Sequence, residues 1–141
     1  MEHAKVALRL APNDAHSYFC IGQSQTGLKQ YADAVKSFTR AVELAPEIAH
    51  YWAALAMVRH RLGQKADIES SVLAYTQAIR LNPNKAFYFQ RRGALQLKLG
   101  LVREAIADLN EALALHPDEI TRTLISSSLK KANRLLAEAA K

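Results

Sequence analysis

The sequence predicts an all-α fold made of repeated helix-turn-helix units, and three observations predict it. Apolar residues recur at helical spacing along most of the chain. Pro12, Pro46, Pro83 and Pro117 stand 34, 37 and 34 residues apart, and the last three close the similar endings AVELAP, AIRLNP and ALALHP. Half of the 141 residues are hydrophobic but only 7% are aromatic, an alanine- and leucine-rich balance that suits packed helices and gives no strand signal.

The clearest unit runs from Asn84 to Pro117. Two apolar-periodic runs, Ala86 to Leu99 and Val102 to Leu115, flank Gly100, and each is long enough for three to four helical turns. Phe89, Gly93, Leu95 and Leu99 mark one stripe, and Ala105, Ile106, Leu109, Ala112, Leu113 and Leu115 the other. Neither stripe is stable in water alone, so the runs must pack on each other and on neighbours.

Taken in order, the chain opens with a half-unit. Residues 1–12 match the end of a second helix, because Ala4, Ala7, Leu8, Leu10 and Pro12 take the offsets of Phe38, Ala41, Val42, Leu44 and Pro46 one period later. Either the chain is cut from a longer array or the half-unit caps it. The first full repeat, 13–46, has Asp14 as the cap of a helix over Ala15 to Thr26, then a second helix from Tyr31 to Leu44. Lys29 stands where a glycine turn is expected, with Gly27 two residues earlier. The second repeat, 47–83, predicts helices over Ala49 to Leu62 and Ile68 to Leu81, with Gln64, Lys65 and Ala66 as three extra residues in the turn after Gly63. The third repeat is 84–117. Residues 118–141 then read as one longer helix, with Ile120, Leu124, Ile125, Leu129, Ala132, Leu135 and Leu136 apolar, capping the end of the stack or, as the lesser reading, docking onto another protein.

Aligned on the prolines, Tyr18, Trp52 and Phe89 coincide, as do the small residues Gly22, Ala56 and Gly93. The second helices align as Tyr31, Ala34, Phe38, Ala41 and Pro46, then Ile68, Ser71, Tyr75, Ala78 and Pro83, then Val102, Ala105, Leu109, Ala112 and Pro117. This pattern resembles the tetratricopeptide repeat, an antiparallel helix pair of period 34. The resemblance implies a right-handed α-solenoid, in a single domain, whose first helices line a concave groove for an extended peptide or a partner helix. Arg92 departs from the pattern, replacing the usual large apolar residue before Gly93; its stem is expected to pack while its head reaches water.

With Tyr18, Trp52 and Phe89 turned inward, the groove residues expected by this resemblance are His16, Phe19, Gln23, His50, Met57, Arg61, Phe87, Gln90, Arg91 and Lys98. From Arg80 to Arg103 no acidic residue occurs, while Arg80, Lys85, Arg91, Arg92, Lys98 and Arg103 are basic, so an acidic segment or a free C-terminal carboxylate is the expected ligand, the alternative being a solvated basic face. Chaperone-binding tetratricopeptide domains hold a C-terminal carboxylate with Lys, Asn, Asn, Lys and Arg. Here those offsets carry Phe19, Gln23, Ala54, Phe87 and Arg91, and only Arg91 agrees.

The functional expectation is a non-catalytic protein-binding scaffold with no cofactor and no metal. The five histidines lack the paired same-face spacing of a helical metal site, and no glycine-rich phosphate loop occurs. Two rivals stand beside it. A net charge of +6 would attract nucleic acid, chiefly RNA at the third repeat, although no reading motif is present. Self-association through the half-repeat at 1–12 is the other. No apolar run approaches the roughly 18 residues of a membrane span, and the opening MEHAKVALRL lacks a secretory signal pattern. A single cysteine, Cys20, fits a reducing, cytoplasmic setting.

Overall fold

The computed structural model describes residues 14–140, so the half-unit at 1–12 lies outside the described residues. Seven helices occur among them: α1 (Ala15–Gly27), α2 (Tyr31–Leu44), α3 (Ala49–Leu62), α4 (Lys65–Leu81), α5 (Ala86–Lys98), α6 (Val102–Ala114) and α7 (Glu119–Ala139). They form paired helix-turn-helix units with an extra C-terminal helix. Two compact units divide after Leu81.

In the first unit α1 packs on α2, α2 on α3, and α3 on α4. Asp14 starts α1 as the spacing predicts, accepting from the His16 amide at 3.2 Å and from the Ser17 hydroxyl at 2.6 Å. Ala34, Phe38, Ala41, Val42, Tyr51, Leu55 and Val58 form the core, and Tyr18, Phe19 and Trp52 pack half-buried against it. Gly22 and Ala56 are buried where the paired helices approach. A Cβ on Gly22 would stand 2.6 Å from the Phe38 ring. Ser71, fully buried beside Tyr75, donates to the Ala56 carbonyl at 2.6 Å and ties α4 to α3.

Three details of the first unit depart from the sequence-based expectation. The extra residues Gln64, Lys65 and Ala66 do not lengthen the turn: α4 begins at Lys65. Asp67, which a helix beginning at Ile68 would leave outside, lies within its first turn and accepts from the Gln64 amide at 3.3 Å, reaching back to an orphan donor. Trp52 is also less enclosed than its neighbour Tyr51, which is 4% exposed, because the indole stays near the surface to donate to the Pro46 carbonyl at 2.9 Å.

In the second unit α5 packs on α6, and α7 packs on both. Phe89, Leu95, Leu97, Ala105, Leu109 and Ala112 are buried, and Ile125 and Ala132 are the fully buried residues that α7 adds. Arg92 does not extend its head to water. It clamps Asp108 of α6, Nε to Oδ2 at 2.6 Å and Nη2 to Oδ1 at 2.7 Å, while its guanidinium covers the Phe89 ring. The Gln96 amide nitrogen, in the orientation that satisfies its neighbours, donates to the same Oδ2 at 2.8 Å. Asp118 starts α7 by accepting from the Thr121 amide at 2.7 Å, which holds its carboxyl below the usual carboxylate range. No described helix is long and apolar enough to cross a membrane.

Candidate functional site

The expected groove residues divide between the two units. His16, Phe19 and Gln23 lie on α1, and His50, Met57 and Arg61 on α3, each set at helical spacing along one face. Phe87, Gln90, Arg91 and Lys98 lie on α5 in the second unit.

At the start of α1 and α3 the site is aromatic. Phe19 stacks on Tyr51 with ring centroids 4.7 Å apart, meets His50 edge-on at 5.3 Å and Phe38 at 5.7 Å, and has His16 on its near side at 6.4 Å. These contacts half-bury Phe19 and leave the two histidines at the surface. Phe19 is therefore a packed wall rather than the free side chain the spacing suggests. Cys20 sits one turn beyond His16, Sγ to Nε2 at 3.5 Å. Enclosure pushes the Tyr51 phenol above its ordinary range, with the charges of Asp14, Cys20 and Glu47 adding to the effect.

Further along the same helices an apolar cavity of about 320 Å³ opens. Gln23 and Thr26 of α1, Phe38 of α2, and Ala54, Met57, Val58 and Arg61 of α3 line it. Three expected groove residues, Gln23, Met57 and Arg61, thus converge on one hollow. Met57 is 41% exposed, an unbranched side chain at the mouth of a small-residue recess. Val58 and Phe38 are not expected here, since both occupy core-facing positions and are almost wholly buried, yet they line the hollow beside the small Ala54.

The second unit arranges its residues differently. Phe87 and Arg91 meet one turn apart, guanidinium over ring at 5.6 Å, and Lys98 is exposed. Gln90 is 4% exposed and does not offer its side chain to a ligand, contrary to its place on the expected face. Its Oε1 has no hydrogen-bond partner among the described residues. Another cavity, about 310 Å³, lies at the loop end of this unit, where Asn84, Lys85, Phe87, His116 and Asp118 are among its lining residues. Among the described residues no three His, Cys, Asp or Glu side chains are grouped to hold a metal ion.

Paired helices with small residues at their crossings define a helical-repeat architecture. Residues 15–48 match the tetratricopeptide repeat family, and the chain is built on the tetratricopeptide fold. Solved structures agree. The first tetratricopeptide domain of Spaghetti (RPAP3), bound to the HSP90 peptide SRMEEVD, is 22% identical with a TM-score of 0.77, covering 87% of this chain and 93% of that one. The Arabidopsis OM64 domain is 23% identical with a TM-score of 0.75, covering 85% and 94%. The Yersinia enterocolitica type III secretion chaperone SycD, in complex with a peptide of the translocator YopD, is 18% identical with a TM-score of 0.77, covering 84% and 91%.

Proposed function

We propose that this chain is a peptide-binding scaffold whose first unit holds a segment of another protein along the α1 and α3 face, with an apolar side chain of that segment seated in the Met57 cavity. The cavity is the observation that carries the reading. Its lining is apolar apart from Gln23, Thr26 and Arg61, so burial of one ligand leucine, methionine or phenylalanine contributes on the order of 1.5–3 kcal/mol. Arg61, exposed at the end of α3, supplies the single cation of the lining. An acidic residue beside the apolar one in the ligand completes the match. The peptide in the Spaghetti complex, SRMEEVD, has that chemistry, with methionine followed by two glutamates.

The basic second unit supports an acidic ligand less directly. Arg92 is committed to Asp108, which removes one cation from the run that would attract nucleic acid. Selection from a displayed peptide library tests the proposal. Enriched sequences are expected to pair an apolar residue with a nearby acid, and Met57→Asp or Arg61→Glu to weaken them about tenfold or more. Peptides that bind both variants as tightly as the parent would show that the cavity is not the site.

A further inference from the structure

The face of α7 turned away from the second unit's core has a composition of its own. Ile125 and Ala132 are buried, whereas Ile120 is 77% and Leu124 47% exposed one turn apart, an arrangement that leaves a large apolar pair in water. Ile120, Leu124, Ser127, Lys131 and Arg134 follow one another at spacings of four, three, four and three residues, the seam that lets one helix lie along another. Glu119, Ile120, Thr123 and Leu124 line a shallow hollow of about 310 Å³ at its start.

Charge along the seam is polarised. Glu119 flanks its first turn, and its second half carries Lys131 and Arg134 with Lys130 beside them, all exposed, while Arg122 lies on the other side of the helix. We propose that this seam docks antiparallel on the same seam of a second copy of this chain. Antiparallel alignment centred near Ser127 sets Glu119 of each copy opposite Arg134 of the other, and lays the Lys131 and Arg134 stems over the other copy's Ile120 and Leu124. Parallel alignment would instead place cation against cation, which excludes it. Glu138 lies past the overlap. A single helix pair buries a contact at the small end of specific interfaces, so the dimer is weak, concentration-dependent and loosened by salt.

Sedimentation velocity on the full chain over a wide concentration range tests this. The expected result is a mass rising toward that of two chains, with Leu124→Glu weakening association about tenfold or more. The decisive arm is a charge exchange: Glu119→Arg and Arg134→Glu each associate poorly alone, and an equal mixture of the two variants associates again, since every cross-pair is then attractive. Circular dichroism confirms that each variant keeps its helix content, and mixing cannot rescue a folding defect. A wild-type chain that stays monomeric throughout overturns the proposal. So does association indifferent to Leu124→Glu, or a mixture no tighter than its components.

Discussion

A Cβ atom on Gly22 would lie 2.6 Å from Cε1 of Phe38, closer than any real side-chain contact, so the α1 and α2 pair is packed around a missing methyl group. Gly93 repeats the arrangement against Leu109 Cγ at 2.9 Å and, at 3.3 Å, the Ala105 carbonyl oxygen. Alanine at a helical glycine ordinarily gains roughly 0.5–1 kcal/mol. At Gly22 the displaced ring reverses that gain, and Gly22→Ala is expected to lose about 1–3 kcal/mol overall. Urea unfolding measures it, and Phe38→Leu in the same chain should recover part of the loss by vacating the space. Gly27, with nothing within 4 Å of its Cβ position, is the control, where alanine should stabilise.

Arg92 and Asp108 form a two-point clamp whose members are both mostly enclosed. Removing one leaves the other charged and poorly solvated, so Asp108→Ala is expected to cost about 2 kcal/mol, below the ~3–5 kcal/mol of a fully enclosed pair because Arg92 retains some access to water. The double variant Arg92→Leu, Asp108→Leu should restore most of the stability, since an apolar side chain is what this repeat position usually carries. A double-mutant cycle in thermal or urea unfolding checks both claims.

The clamp also shows how far the sequence could be read. A period of 34 residues, set by prolines and small residues, places α2 and α6 correctly at their starts because one strong signal recurs with every copy. Arg92 alone reads as a snorkelling side chain; its partner lies sixteen residues away on another helix, and nothing local in the sequence joins the two. Gln64, Lys65 and Ala66 read as loop because they break the period, yet two of them satisfy a helix start that Asp67 stabilises from within. On the candidate site, Gln23, Met57 and Arg61 were legible from helical spacing. Phe19 and Gln90 were not, because spacing gives the direction of a side chain but not the size of what packs beside it.

Tyr51 gives the fold an alkaline limit. Burial raises its phenol above the ordinary value of about 10, so the unfolded chain loses that proton first as pH rises. The stability tied to the neutral ring is complete below that ordinary value and is lost as pH climbs through the folded one. Tyr88, raised by burial alone, adds to the same limb. Tyr51→Phe is therefore expected to flatten the fall of melting temperature with alkaline pH, and Tyr51→Phe, Tyr88→Phe to flatten it further. An unchanged slope in the double variant would place the limit elsewhere.

Lys29, Gly63 and Gly100 occupy one position in successive repeats, the turn between paired helices, and all three have positive φ: 61°, 80° and 79°. Glycine adopts that backbone freely, whereas an L side chain there costs roughly 1–2 kcal/mol. Lys29 is held in it by the turn itself, whose amide donates to the Thr26 carbonyl at 3.0 Å while the Gln30 amide donates to Gln25 at 2.8 Å. Lys29 is also exposed, so its replacement removes no packing. Lys29→Gly should thus stabilise the first unit by about 0.5–1 kcal/mol, part of the strain relief being offset by the greater freedom of glycine in the unfolded chain. Gly63→Ala and Gly100→Ala should each destabilise by a similar amount, although neither new methyl group would touch another atom. Opposite signs at equivalent positions, read from urea midpoints, would show that backbone conformation rather than packing sets the cost of this turn.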